Sequence, residues 1–193
     1  MKICFASHNL HKIKELNEML HGVHEVVGLA EIGIDEDIAE TGTTFEENSR
    51  IKARYVYDKF KIPVFADDSG LCVEALAGAP GVYSARYAGE EKDDQKNIDL
   101  LLTNLGSTEN RKAHFATVVT LIDQDGSETQ FYGQVDGAIL HERTGEGGFG
   151  YDPIFVPDGH SISFAQMPPH EKHKISHRAI AVQKLIDHLS ANG

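Results

Sequence analysis

Apolar residues in the first third of the chain follow two rhythms. Short runs at Lys2–Ala6 (KICFA), His24–Leu29 (HEVVGL) and Pro63–Ala66 (PVFA) predict strands. Between them, Ile13, Leu16 and Leu20 recur at helical spacing, and so do Phe45, Ala53, Val56 and Phe60. Thr44 and Glu47 have the spacing of a capping box, so the second helix is predicted to start there. This β-α-β-α-β opening is the order of an α/β layered fold. The pattern then changes. Asp93 or Asp94 caps a predicted helix carrying Ile98, Leu101, Leu102 and Leu105, with Gly106 as its stop. Two β-rich runs, Ala113–Asp123 and Thr129–Val135, flank Gln124–Ser127 and predict a hairpin around Asp125-Gly126. Ile175, Ala179, Val182, Ile186 and Leu189 predict a last helix. No repeat or long linker interrupts the 193 residues. The expected architecture is a single α/β domain over 1–193: a mixed sheet with flanking helices, in two lobes around a central substrate cleft.

Charge narrows the choice of partner. A formal net charge of -12 argues against a general nucleic-acid binder or a membrane-surface binder, since both need a basic face. It leaves room for a small anion in a locally basic pocket. No apolar run approaches the roughly 20 residues of a membrane helix. The opening MKICFASHN has too short an apolar stretch for a signal peptide, so the cytoplasm is the expected compartment. Cys4 and Cys72 lie far apart in apolar surroundings and are expected to be buried free thiols.

Four polar clusters interrupt the apolar runs. In PVFADDSGL, an apolar run meets two adjacent carboxylates, Asp67 and Asp68, at the expected end of the strand. Such a pair suits a turn, or it holds a divalent cation and activates a water. In FASHNLHK, Ser7 and Asn9 at a helix start can hold an anion, with Lys12 adding positive charge, or they are ordinary helix caps. The absence of glycines there excludes a P-loop. In AETGTTFEENSRIKA, Asn48 and Lys52 lie one helical turn apart and flank the apolar stripe, with Glu40 in the preceding loop. In GEGGFGYDPIF, four glycines surround Phe149 and precede Asp152. Such a loop allows close backbone approach, and its aromatic can stack on a flat base or fill a core. Beyond it, His170, His173 and His177 lack partners at a recognised metal spacing, whereas Lys172, His177 and Arg178 form a patch suited to an anion.

Taken together, SHNLHKIKEL, ETGTTFEENSRIKA, FADDSGL, GAPGVYSARYAG, GGFGYDPIF and ISHRA resemble, in order and over nearly the whole chain, the inosine triphosphate pyrophosphatase family, especially its bacterial dITP/XTP pyrophosphatases. The resemblance implies hydrolysis of deaminated purine nucleoside triphosphates (ITP, dITP, XTP) to monophosphate and pyrophosphate, with Mg²⁺ as cofactor and a homodimer as the assembly. By motif, Asp68 is implied as the acid-base residue and, with Glu40, as a metal ligand, while Asp67 supports them. Ser7, His8, Asn9, Leu10, His11, Lys12, Lys52 and Ser69 are implied to lie along the triphosphate. Phe149, Gly150, Tyr151, Asp152, Lys172, His177 and Arg178 are implied to surround the base. His8 and His11 stand where the family often has glycine or another small residue, and Ser49 replaces a usual alanine. A related pyrophosphatase with another base preference, or a nucleotide sensor without turnover, would share much of this pattern. The retained Asp68 and Glu40 favour the enzyme.

Overall fold

The structure, a computed structural model, describes residues 1–21 and 23–192. In chain order the main elements are β1 (Lys2–Phe5), α1 (Leu10–Met19), β2 (Glu25–Val27), α2 (Phe45–Phe60), β3 (Val64–Val73), α3 (Asp94–Leu105), β4 (Lys112–Ile122), β5 (Glu128–Ile139), β6 (Phe155–Pro157), α4 (Pro169–Ile175) and α5 (His177–Ala191). Short 3-10 turns lie between them, the longest over Gly81–Arg86. The strands form one six-stranded sheet in the order β2-β1-β3-β4-β5-β6. β1 pairs parallel to both β2 and β3, and β5 pairs antiparallel to β6, so the sheet is mixed as expected.

The helix starts follow local chemistry. Asn9 caps α1 by accepting the Lys12 N–H, and Asp93 caps α3 by accepting from Gln95 and Lys96. Thr44 caps α2 by accepting the Glu47 N–H, but the Glu47 carboxylate reaches back to the Thr43 N–H, one residue outside the predicted box. The hairpin turn is closed by Asp125, whose carboxylate takes both the N–H and the hydroxyl of Ser127.

Three expectations change. PVFA continues into a ten-residue strand, so Asp67 and Asp68 sit mid-strand rather than at a strand end. The predicted last helix is two helices: Ser176 adopts an extended conformation that ends α4, and its hydroxyl accepts the Ala179 N–H at the start of α5. Ile175 therefore belongs to α4, and the buried stripe of α5 is Ala181, Val182, Leu185 and Leu189, with Ile186 at its margin. β6 is only three residues long and carries no readable period.

The chain divides into two compact units. The first comprises Met1–Asp68, Val118–Tyr132 and Ala181–Gly193, with no description of Gly22 or Gly193. It has two cores, and strand alternation assigns residues to them. Ile3, Phe5 and Phe65 pack with α1 and α5, whereas Cys4, Ala6, Val64 and Ala66 pack with α2. The second unit, Ser69–Thr117 and Gly133–Ile180, has a core of Leu71, Val73, Ile98, Leu101, Phe115, Phe155 and Phe164 among others. Both cysteines are free thiols; Cys4 is buried, and burial pushes its pKa up to about 12. No described helix is long and apolar enough to cross a membrane.

At the edge of the sheet, Asn17 of α1 replaces a neighbouring strand. Its amide accepts the Val26 N–H and donates to the Val26 carbonyl, both at 2.8 Å. Asn17→Leu strands both groups and is expected to lower stability by about 1–3 kcal/mol, with a matching fall in urea midpoint. An unchanged midpoint would show that water satisfies Val26 equally well.

Candidate active site

Two like charges at consecutive positions are tolerable because the strand puts them on opposite faces. Asp67 follows Phe65 toward α1, and Asp68 follows Ala66 toward α2. Each is nearly buried, at 7% and 8% exposure. Asp67 then holds two lysines by two different groups. Its carboxylate accepts from Lys12 Nζ at 3.1 Å, and its main-chain carbonyl accepts from Lys52 Nζ. Lys52 also lies 3.5 Å from Glu40.

The Asp68 carboxylate meets a different environment. Asn48 of α2 is fully buried, and its Oδ1 is fixed by the Gly42 N–H at 2.8 Å. That bond assigns the amide orientation and turns Nδ2 toward Asp68. Asn48 lowers the Asp68 pKa, yet neither Asn48 Nδ2 nor Asp68 Oδ2 completes a hydrogen bond within the protein. Burial dominates at Asp68, with the charges of Glu40 and Asp67 adding to it. Against the opposing pull of Lys52 and Asn48, these raise its pKa to about 7. A buried carboxylate oxygen left without a partner marks a position built for something else.

Of the residues expected along the triphosphate, Ser7, Asn9 and Lys12 gather at the start of α1. Ser7 Oγ accepts the Asn9 N–H at 3.1 Å, and Asn9 caps the helix whose first turn carries Lys12. His8 is turned to the Glu36 carbonyl at 3.2 Å, while Leu10 and His11 are exposed. Ser69 lies in the second unit, where its hydroxyl is 2.8 Å from that of Thr117.

The aromatic cluster also belongs to the second unit. Phe149 is 61% exposed, and Lys172 Nζ and Arg178 Cζ lie 4.6 and 6.0 Å from its ring centroid. Asp152 is buried and accepts from Lys172 Nζ and from the Phe149 N–H, so it fixes both the cation and the loop. Gly148 adopts φ +70°, and a Cβ there would collide with the Asp152 carboxylate. Tyr151 is buried; its hydroxyl donates to the Ser84 carbonyl at 2.7 Å, and burial pushes its pKa up. His177 stacks on Phe115 at 4.9 Å. Asn48, singled out beside Lys52, and Asp94, offered as a helix cap, support these groups together with Ser84 and Asn97, which the sequence did not single out. Of the four, only Asn48 carried a signal for the site, as a polar residue one turn before Lys52 on the edge of an apolar stripe.

Residues 3–188 match the Ham1 family, and the chain belongs to it. It is 50% identical over 190 residues to the dITP/XTP pyrophosphatase of Christiangramia forsetii, covering 98% of this chain and 100% of that one. It is 50% identical over 189 residues to the dITP/XTP pyrophosphatase of Porphyromonas gingivalis, covering 97% of each. Among solved structures, the Staphylococcus aureus Ham1 protein superposes with a TM-score of 0.95 at 41% identity, over 100% of both chains.

The raised Asp68 pKa has a consequence for stability. Folded, the carboxyl holds its proton up to about pH 7; unfolded, it releases it near 3.8. Protonation therefore favours the folded state, and this contribution is lost as pH rises from the lower value to the higher. Asp68→Asn removes the buried charge while nearly preserving volume. In chelator, its melting temperature is expected to exceed wild type by several degrees at pH 8 and to match it near pH 4. Equal melting at both pH values would show that Asp68 is effectively solvated.

Proposed function

We propose that this protein hydrolyses deaminated purine nucleoside triphosphates (dITP, ITP and XTP) to the monophosphate and pyrophosphate. The observation that carries the reading is the buried Asp68, with a free Oδ2 and a pKa near neutrality, in the cluster that also holds Lys12 and Lys52. The relatives named dITP/XTP pyrophosphatases support it.

In this reading, Lys12, Lys52 and the start of α1 take the polyphosphate, offsetting its charge in a chain of net charge -12. A water attacks the α-phosphorus. The new bond runs from the water oxygen to that phosphorus, and the bond to the bridging oxygen breaks, so pyrophosphate leaves with the electron pair. The proton of the water passes to the Asp68 carboxylate, which burial disposes to take it up. Asn48 Nδ2 faces the same carboxylate and lowers its pKa.

A divalent cation fits beside these groups. No cluster of three or more His, Cys, Asp or Glu suited to a metal occurs among the described residues. Mg²⁺ needs only one or two carboxylates together with phosphates and water, and Glu40 and Asp68, with its unpartnered oxygen, supply them. Bound there, the ion would neutralise charge on the polyphosphate.

In the second unit, Phe149 offers an exposed face for a purine. Lys172 and Arg178 are donors that suit the C6 carbonyl of hypoxanthine or xanthine and oppose the C6 amino group of adenine. Because Asp152 already accepts from Lys172 and the Phe149 amide, it acts first by aiming the lysine.

Incubation with dITP and Mg²⁺ is expected to release pyrophosphate and no orthophosphate, far faster than with dATP. Orthophosphate as the first product would overturn the reading. A folded Asp68→Asn protein is expected to lose most turnover, on the order of 10²-fold or more. Arg178→Ala should narrow the dITP-over-dATP ratio of kcat/KM, whereas Phe149→Ala should lower both substrates and leave the ratio near wild type. Equal slowing of both substrates by Arg178→Ala would move base choice away from that arginine.

A further inference from the structure

The loop that presents Phe149 is fastened to two distant parts of the chain. The Gly147 N–H donates to the Ala165 carbonyl of a later 3-10 turn, and the Phe149 N–H donates locally to Asp152. The next amide, Gly150 N–H, instead donates to Asp94 Oδ2 at 2.9 Å, across 56 residues of sequence. Asp94 is the first residue of α3 but does not cap it, since Asp93 performs that task. Its carboxylate is thus available to the loop. The second distant bond is the one from the Tyr151 hydroxyl to the Ser84 carbonyl.

The two anchor points are themselves joined. Asn97, buried in α3, donates to the Ala85 carbonyl and accepts the Ala88 N–H, locking the 3-10 turn that carries Ser84 to the helix that carries Asp94. Ser84 Oγ also accepts the Leu71 N–H of β3. At the near end of the loop, Arg143 binds the same helix turn through Gln95 and Asp99. Gly150 has φ +58°, a conformation that glycine adopts and leaves at little cost unless it is held.

We infer that Asp94 is a positioning residue for the purine end of the substrate, acting through the Gly150 amide to fix the loop that carries Phe149. This rests on the functional reading above, and it separates base binding from the chemistry. Loss of the anchor costs the loop its preorganisation, so binding of the base weakens while the phosphate side is untouched.

The test compares Asp94→Ala, Asp94→Asn and Tyr151→Phe with wild type. Asn keeps an acceptor for Gly150, and Tyr151→Phe removes the second anchor without changing charge. Three quantities are measured: hydrogen exchange at Gly150, affinity for inosine monophosphate, and affinity for inorganic pyrophosphate. Asp94→Ala is expected to speed exchange at Gly150 and to weaken inosine monophosphate about fivefold, the worth of one hydrogen bond, with KM for dITP rising in step and kcat held. Pyrophosphate affinity should stay at the wild-type value. Tyr151→Phe should act in the same direction, and Asp94→Asn should restore wild-type exchange and affinity. Unchanged exchange in Asp94→Ala overturns the inference whatever the substrate is. Equal weakening of inosine monophosphate and pyrophosphate also overturns it, because the effect is then general. If wild type binds no inosine monophosphate, the functional reading fails instead, and exchange at Gly150 still decides whether Asp94 holds the loop.

Discussion

The candidate chemistry depends on the alternation of a single strand. A pleated backbone sends Asp67 and Asp68 to opposite faces, so two buried carboxylates coexist at neighbouring positions. Asp67 is stabilised by Lys12 and in turn seats Lys52 with its carbonyl. Asp68 is left in a drier place, where its charge is disfavoured. A shift of one residue in β3 would exchange these environments, leaving the ion-paired carboxylate where the unpaired one must be. The register is held by Phe65 on one side and by Val64 and Ala66 on the other, which pack into separate cores.

The second unit solves a different problem. An exposed phenylalanine on a glycine-rich loop would ordinarily sample many conformations. Here consecutive amides, Phe149 and Gly150, are each captured by a carboxylate, and the following tyrosine is buried and bonded. The loop therefore spends its flexible residues on shape, and side chains elsewhere supply the rigidity. Lys172 and Arg178 reach the same ring from either side of the break at Ser176. One uninterrupted helix through this region would give their relative angle a fixed 100° per residue; the break frees it from that constraint.

Much of the fold was legible from local rules. Asn9, Thr44, Asp93 and the Asp125 turn each state their structure in one or two side chains, and the alternation of KICFA and PVFA gives their strands. What was not legible is what tertiary contact decides. Nothing local tells that ADDSGL stays extended, because two aspartates and a glycine ordinarily suit a turn; burial between helices keeps them in the strand. The split at Ser176 hides within a plausible apolar period, and β6 is too short to have one. At the site, the charged residues were visible because their motifs lie in order along the chain. Asn48, Asp94 and Ser84 work through hydrogen bonds that span from 6 to 67 residues, and no spacing rule reports those.

The first unit is assembled from three separate stretches of chain. Ile3 and Phe5 of β1 share a core with Ala181, Val182, Leu185 and Leu189 of α5. During synthesis that core stays open until α5 emerges, whereas the core that Cys4 and Ala6 share with α2 needs nothing beyond Ile122. The second unit draws its own core from residues between Leu71 and Ile175 and can close earlier. Within the first unit, the α2 side can therefore close before the α5 side. A nascent chain stalled before α5 would leave uncovered the apolar face of Ile3, Phe5 and Phe65 that α5 packs against.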